Sequence, residues 1–161
     1  MEGYYSLLKK SFVVLLLIFS MFASSKAQDK GFGAGIIIGE PTGLSGKYWL
    51  DDSRALDFGF GSSFVHTYTA LSLHGDLIFH NFEILKSEFR LPVYYGLGIR
   101  IHLNDKDGST FGARGVMGIA WMLNNSPIDI FIEFAPVFNL FPETSLHLDF
   151  AIGGRYYFNT K

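Results

Sequence analysis

The sequence predicts an all-β fold in which eight antiparallel strands run up and down and close into a transmembrane β-barrel. Three observations support this prediction. Apolar and polar residues alternate along most of the chain, no helical period persists long enough to compete with the period of two, and turn-forming residues recur between the alternating segments. The 161 residues contain no linker or low-complexity tract, so a single barrel domain is expected after the N-terminal segment.

The first 27 residues have the composition of a cleaved secretory signal peptide. Lys9 and Lys10 precede an apolar run at residues 12–23, and small residues follow up to Ala27. Such a run is short for a membrane-spanning helix, which needs about 20 apolar residues. We therefore expect residues 1–27 to be removed as a signal peptide and the barrel domain to occupy residues 28–161. An uncleaved anchor is the alternative.

Turn-forming residues divide the rest of the chain into eight segments. The clearest breaks lie at residues 40–43, 51–54, 104–110, 124–127 and 141–145, and two weaker ones lie near 62–68 and 81–90. The predicted strands are residues 31–39, 43–50, 55–62, 68–80, 91–103, 111–123, 128–140 and 146–158. A closed barrel requires the last strand to pair with the first. Pro136 has no N–H to donate, so a bulge or the end of pairing is expected there.

The last predicted strand shows the polarity pattern most clearly. In LHLDFAIGGRYYF, residues 146–158, one set of alternate positions is aliphatic or aromatic, and the other set includes His147, Asp149 and Arg155. Successive side chains of a strand point to opposite faces, so this strand separates an apolar medium from a polar one. Alternation alone fits either a membrane barrel or a soluble, lipocalin-like barrel with the two faces reversed.

The composition of the polar face favours the membrane barrel. This face holds many Gly, Ala and Ser residues and a single lysine, whereas a strand surface that faces water is usually rich in Lys and Glu. The later five strands also reach the roughly 9 to 11 residues that a tilted strand needs to cross a bilayer. The residues expected to face lipid are Leu97, Ile99, Ile119, Ile132, Phe150 and Ile152.

Aromatic residues of the apolar face fall near one end of the predicted barrel. If the chain enters the barrel at the periplasmic end, the second, fourth, sixth and eighth strands return to that end. Their last outward residues form a predicted lipid-facing aromatic girdle at the membrane interface, and these residues are Tyr48, Phe79, Trp121, Tyr156 and Phe158.

The polar face carries a predicted network inside the barrel lumen. Its members are Lys47, Asp57, His74, Asp76, Arg100, His102, Arg114, Asp129, Glu133, His147, Asp149 and Arg155. Acidic and basic members nearly balance, so ion pairs and charge-assisted hydrogen bonds between strands are expected. The network either fills the lumen as a polar plug or rearranges as a gate for small ions. The histidines have no compact ligand spacing, so neither a metal nor another cofactor is expected.

Several functions lack their sequence features. A formal net charge of -2 offers no basic surface for nucleic acid, and the absence of cysteine excludes a disulfide framework or a thiolate site. The segment DKDG, residues 105–108, lacks the later ligands of a calcium loop. His66 with Ser62 and Ser63 is the one candidate catalytic group, and three common residues in one loop are weak support, so no enzyme activity is expected.

The mature chain resembles the small eight-stranded outer-membrane β-barrel proteins of the OmpA, OmpX and opacity-protein type. The resemblance rests on the signal peptide, the eight alternating strands and the segment GRYYF at residues 154–158. The aromatic end of that segment is similar to the signal that the outer-membrane assembly machinery reads. The resemblance implies the outer membrane of a Gram-negative-type bacterium as the location, and outer-membrane lipids and the assembly machinery as partners. The oligomeric state stays open, with a monomer favoured.

The resemblance further implies a structural or envelope-supporting role, which extends to a narrow pore if the ion pairs that close the lumen can open. Two alternatives stay open at this point. One is a surface-exposed protein that binds host or envelope partners through the short loops near residues 62–68, 104–110 and 141–145. The other is a lipid A-modifying enzyme, because some barrels of this size catalyse such reactions.

Overall fold

The computed structural model describes residues 30–63, 70–104 and 108–158. In these ranges the chain forms eight strands: β1 (Phe32–Gly39), β2 (Thr42–Trp49), β3 (Arg54–Ser63), β4 (Ala70–Asn81), β5 (Val93–Leu103), β6 (Thr110–Met122), β7 (Ile128–Phe141) and β8 (Ser145–Phe158). No helix among the described residues is long and apolar enough to span a membrane. The signal peptide predicted for residues 1–27 lies outside the described residues.

The strands form one closed barrel. Each strand pairs antiparallel with its neighbours in the chain, and β1 pairs antiparallel with β8. The closing ladder runs from Phe32 opposite Phe158 to Gly39 opposite Ala151. Each of the eight described strands thus has two neighbours, and the barrel has no free sheet edge. The prediction of an all-β, eight-stranded antiparallel barrel whose last strand pairs with its first is confirmed.

The predicted strand boundaries differ from those of the structure by no more than two residues where the structure describes them. The strands lengthen along the chain, from 8 residues in β1 and β2 to 14 residues in β7 and β8. The predicted start of the fourth strand, at residue 68, lies outside the described residues. Period-two alternation therefore locates the strands well, because successive side chains of a strand point to opposite faces and only one of these faces is apolar.

The apolar face of the barrel is outside and the charged face is inside. Along β5, Tyr95, Leu97 and Ile99 are exposed, and Leu97 is 76% exposed, whereas Tyr94 and Arg100 are buried. The residues predicted to face lipid are exposed on the outer wall in the same way, and these are Leu97, Ile99, Ile119, Ile132, Phe150 and Ile152. A soluble lipocalin-like barrel requires the opposite arrangement, so the structure excludes that alternative.

Pro136 disturbs the sheet on one side only. It stays paired with Leu148 of β8, whereas the ladder to β6 lacks pairs at Gly115 and Val116. In an antiparallel ladder the N–H of each residue points to one neighbouring strand, so a missing N–H affects pairing on one side. The end of pairing expected at this proline is therefore limited to the β6 side. A separate register shift follows Phe111 in β6.

The two ends of the barrel carry different connections. We call the end at which β1 begins and β8 ends the terminal end, and the other end the mouth end. The terminal end carries residues 50–53, 82–92 and 123–127, and the described connecting residues at the mouth end are 40–41, 104, 108–109 and 142–144. The longest connection, residues 82–92, therefore lies at the terminal end.

Candidate functional site

Charged and polar side chains fill the interior of the barrel. The structure places eleven of the twelve predicted lumen residues among the buried residues, and the twelfth, His147, is half-buried at the mouth end. The buried residues are Lys47, Asp57, His74, Asp76, Arg100, His102, Arg114, Asp129, Glu133, Asp149 and Arg155. Alternation places them inside because each lies on the same face of its strand as the other polar residues.

Arg155 on β8 connects four strands near the terminal end. Its Nη2 donates to both carboxylate oxygens of Asp57 on β3, at 2.7 and 2.8 Å, and its Nε donates to Ser45 Oγ on β2 at 2.8 Å. The guanidinium carbon lies 3.9 Å from the ring centre of Phe131 on β7. A planar guanidinium can make paired hydrogen bonds and stack on a ring at the same time, so one side chain satisfies all these partners.

Asp129 on β7 forms a second junction beside Arg155. The hydroxyl of Tyr157 donates to Asp129 Oδ2 at 2.6 Å, and Lys47 Nζ lies 3.6 Å from the same oxygen. Arg155 Nη1 approaches that oxygen to 3.8 Å. Lys47 also lies over the ring of Trp49, with Nζ 4.8 Å from the ring centre. Two cations and one hydroxyl therefore share a single buried carboxylate.

Arg114 on β6 forms the third junction. Its Nη2 donates to Glu133 Oε1 on β7 at 2.7 Å, and its Nη1 makes an ion pair with Asp76 on β4. Tyr94 on β5 donates from its hydroxyl to the other oxygen of Glu133, at 3.0 Å. Each charged side chain of these junctions thus lies beside at least one side chain of opposite charge. We call the charged residues of the three junctions the inner network, and they are Lys47, Asp57, Asp76, Arg114, Asp129, Glu133 and Arg155.

Aromatic side chains close the terminal end of the lumen. The ring centres of Trp49 and His80 are 4.2 Å apart, and the ring of Phe82 lies 6.4 Å from that of His80. Arg90 holds its guanidinium carbon 4.9 Å from the ring centre of Phe82. Trp49 and His80 are buried, and Phe82 packs against a buried apolar cluster that includes Met122. We call Trp49, His80 and Phe82 the aromatic cap, because their rings pack in a row at the terminal end of the lumen.

The half of the interior toward the mouth end is more open. Arg100 Nη1 on β5 donates to both oxygens of Asp149 on β8, at 2.8 and 2.9 Å, and we call these two residues the mouth pair. The mouth pair borders a cavity of about 100 Å³. The cavity is also lined by Glu40, Ser63, His102, Asn104 and His147.

The predicted network omits three uncharged residues that take part in it. Ser45, Tyr94 and Tyr157 each make a hydrogen bond to a charged residue of the inner network. The alternation was the signal that could have found them. Tyr94 and Tyr157 lie at polar-face positions of their strands, and Ser45 lies two residues before Lys47 on the same face.

Ser63 lines the mouth cavity together with His102 and His147, but the described histidines form no metal-binding group. Within the described ranges, no group of three or more His, Cys, Asp or Glu side chains could hold a metal ion. The ring of His74 packs against β3, where a β-carbon on Gly59 would run into it. Ser62 and Ser63 lie in β3 rather than in the predicted loop, and Ser63 is buried at the mouth cavity. His66 lies outside the described residues. Residues 105–107 of the DKDG segment also lie outside the described residues.

The predicted girdle residues lie on the outer wall near the terminal end. Tyr48, Phe79, Trp121 and Phe158 are exposed, and Tyr156 is half-buried. Phe79 stacks with Tyr95 at 6.2 Å between ring centres, and Tyr156 meets Phe158 edge to face at 5.1 Å. The aromatic residues of this end therefore form two groups: the aromatic cap inside the barrel and the girdle outside it.

Comparisons with known proteins bear on the fold. No protein-family model and no curated protein matches the chain. Among solved structures, the crystal structure of the N-terminal β-barrel domain of Pseudomonas aeruginosa OprF is similar, with a TM-score of 0.53 and 15% sequence identity. The similarity covers 79% of this chain and 95% of that one. The resemblance to small eight-stranded outer-membrane barrels is thereby confirmed at the level of the fold.

Proposed function

We propose that this chain is a structural, envelope-supporting β-barrel protein of the outer membrane of a Gram-negative-type bacterium, with a lumen that ion pairs close. The single observation that carries the proposal is the division of the barrel wall. Apolar side chains cover its outside, and ion-paired charges fill its inside. A bilayer provides the apolar medium for such an outer wall, and the closed ladder satisfies the backbone groups that lipid cannot.

The extent of the apolar surface supports the membrane location. Every one of the eight described strands exposes large apolar side chains, among them Ile36, Leu44, Phe60, Leu73, Leu97, Met117, Ile132 and Phe150. Soluble monomers rarely expose contiguous apolar patches larger than a few hundred Å². A band that continues around a closed barrel is the surface that outer-membrane barrels present to lipid. Outer-membrane lipids are therefore the proposed partner of the folded monomer, and the assembly machinery is its partner during biogenesis.

The interior supports a closed lumen. The inner network brings side chains of β2, β3, β4, β6, β7 and β8 into contact across the barrel, and the aromatic cap lies beyond it. An eight-stranded barrel is just wide enough for side chains to fill its interior. A solute could pass only if several buried, charge-assisted contacts separated together. We infer that the network is a plug at rest, and that a narrow pore would require these pairs to rearrange.

The location is tested by fractionating cells and heating the protein. The full chain is produced in a Gram-negative host, and the outer-membrane fraction is run on a detergent gel with and without boiling. We expect the protein in this fraction and a change of mobility on boiling, because a barrel without free edges stays compact in detergent until heat unfolds it. A matched variant that lacks residues 1–27 is expected to remain in the cytoplasm. A wild-type protein that is soluble in the periplasm and shows no change of mobility would overturn the proposal.

A further inference from the structure

The connection between β4 and β5, residues 82–92, is unusually long for the end of the barrel at which it lies. It is the longest connection of the barrel and lies at the terminal end, whereas residues 40–41 and 142–144 at the mouth end are short. Outer-membrane barrels usually have short turns at the periplasmic end and longer loops at the other. A long connection at the terminal end therefore calls for a physical role of its own. We call residues 82–92 the β4–β5 connector.

Both ends of the connector are fixed to the barrel rim. Phe82 turns inward as part of the aromatic cap, and Arg90 lies over its ring. The backbone N–H of Met122 on β6 donates to the carbonyl oxygen of Arg90 at 2.9 Å, and the N–H of Ala120 donates to the carbonyl oxygen of Pro92 at 3.1 Å. The connector is therefore held against the start of β5 and the end of β6, and its middle spans the rim between these attachments.

The middle of the connector exposes three large apolar side chains. Ile84 is 54% exposed, Leu85 is 36% exposed and Phe89 is 57% exposed. Phe89 meets Trp121 of the outer wall edge to face, with ring centres 5.8 Å apart. The connector leaves β4 just after Phe79, which is also exposed on that wall. The apolar surface of the connector thus joins the apolar band of the barrel directly, through the contact between Phe89 and Trp121.

We propose that the β4–β5 connector lies in the lipid interface at the terminal end, with Ile84, Leu85 and Phe89 in the boundary between headgroups and acyl chains. This inference rests on the proposed membrane location of the barrel. Binding to such a boundary becomes stronger as more apolar area is buried in it. Aromatic and aliphatic side chains next to an outward tryptophan fit the same layer.

The charge of the connector indicates which lipid property it recognises. Glu83 and Glu88 balance Lys86 and Arg90, so the segment has no net charge. Anionic headgroups attract a segment in proportion to its excess of basic residues. The connector therefore binds through apolar insertion, and we expect its depth to be the same in vesicles of neutral and of partly anionic lipid.

The absence of cysteine from the chain makes a site-specific test direct, because a single introduced cysteine can carry an environment-sensitive fluorophore. The probes are Ile84→Cys and Phe89→Cys in the connector. Asp52→Cys is the matched control in the polar turn of the same end, and Ile132→Cys is the control on the outer wall. The labelled full-length barrel is reconstituted in phosphatidylcholine vesicles, with and without phosphatidylglycerol. Quenching is measured with lipids that carry the quencher at a shallow or deep acyl position and with aqueous iodide.

We expect the labels at residues 84 and 89 to emit at shorter wavelength than the label at residue 52, and to be quenched several-fold more by the shallow lipid quencher. The label at residue 132 should respond most to the deep quencher. Iodide quenching of labels 84 and 89 like that of label 52 would overturn the inference, as would depth that depends on phosphatidylglycerol. Protection from iodide and lipid quenchers alike would also overturn it, because a second protein copy would then cover the connector. If label 132 is not quenched by lipid, the membrane location itself is wrong.

Discussion

The two halves of the barrel interior differ in how their buried charged side chains are paired. Toward the terminal end, the inner network joins seven charged residues. The carboxylate of Asp129 by itself has three partners, which are Lys47, Arg155 and Tyr157. Toward the mouth end, Arg100 and Asp149 form one pair beside a cavity of about 100 Å³. The charges of the inner network share partners from several strands, whereas the mouth pair has a cavity beside it. The difference implies that the inner network contributes more to stability than the mouth pair, and the proposed closure of the lumen rests on the same network.

Removal of Asp129 is expected to have the largest effect on stability. Asp129→Ala takes the carboxylate away from Lys47, which is fully buried, and from Arg155. Breaking a buried ion pair by removing one partner lowers the free energy of unfolding by about 3–5 kcal/mol. Urea denaturation of the protein in detergent micelles, extrapolated linearly to zero urea, measures this loss.

Asp149→Ala is the matched change in the mouth half. It leaves Arg100 without its carboxylate, but the guanidinium borders the mouth cavity and can be hydrated there. The loss expected from an unsatisfied polar group in this setting is about 1–3 kcal/mol. Equal losses for Asp129→Ala and Asp149→Ala would contradict the difference between the two halves.

The next largest effect on stability is expected where an added methyl group would disturb the tight packing around the inner network. A β-carbon at Gly118 on β6 would run into the ring of Tyr94, which is fully buried and donates to Glu133. Overpacking of this kind lowers the free energy of unfolding by about 1–3 kcal/mol. The same urea titration is applied to Gly118→Ala and to Gly46→Ala, whose added β-carbon would lie 3.6 Å from Phe32 on the outer wall. A Gly118→Ala variant as stable as Gly46→Ala would show that the interior can relax around Tyr94.

A double-mutant cycle on the mouth pair sharpens the comparison further. Arg100→Met, Asp149→Leu and their combination are compared with the wild type. Because Arg100 donates to both oxygens of Asp149, we expect a coupling free energy of about 0.5–3 kcal/mol, with the double variant more stable than Asp149→Leu alone. A double variant less stable than both single variants would contradict this expectation, because each residue would then have other partners that matter more than the pair itself.

The smallest effect on stability is expected at the turn between β2 and β3, which lies outside both halves of the barrel interior. Asp51 Oδ1 accepts from the N–H of Ser53 at 2.9 Å and of Arg54 at 2.7 Å, and Arg54 Nε donates to Oδ2 at 2.6 Å. These hydrogen bonds, first that of the Ser53 backbone, hold the pKa of Asp51 below its usual range. A lowered pKa means that the carboxylate stabilises the fold above its unfolded pKa of about 4, and that this contribution is lost as the pH falls through the folded value.

Asp51→Asn is therefore expected to lower the melting temperature slightly at neutral pH, by an amount that shrinks as the pH is taken below about 4. Asp52→Asn is the control, because Asp52 is exposed in the same turn. Thermal unfolding at several pH values measures the difference between each variant and the wild type. A difference for Asp51→Asn that grows toward acid pH would have the wrong sign.

The sequence predicted the fold because one physical signal determines most of it. Alternation determines which residues point inward, because a register shift of one residue would move every side chain of a strand to the opposite face. The strand boundaries and the residues of the outer wall therefore follow from the period of two. Pro136 shows the limit of this reasoning. The proline indicated disturbed pairing, but the orientation of its missing N–H, toward β6 and away from β8, depends on the three-dimensional ladder.

The partners inside the lumen were beyond reach of the sequence. Arg155 and Asp57 are 98 positions apart, and Arg114 and Asp76 are 38 positions apart. Alternation assigns both members of each pair to the inner face but gives no depth along the barrel, because depth depends on the tilt and stagger of the strands. For the same reason the sequence named the twelve lumen residues without separating the inner network from the mouth pair.

Single-channel recording in planar lipid bilayers tests the central claim most directly, namely that the inner network closes the lumen. The wild type is compared with Arg100→Ala, which alters the mouth pair and leaves the inner network and the aromatic cap intact. Flotation of the reconstituted protein with lipid vesicles establishes insertion independently. Neither protein is expected to hold a steady open level. A steady ion current through the wild type, or one opened by Arg100→Ala alone, would contradict closure by the inner network.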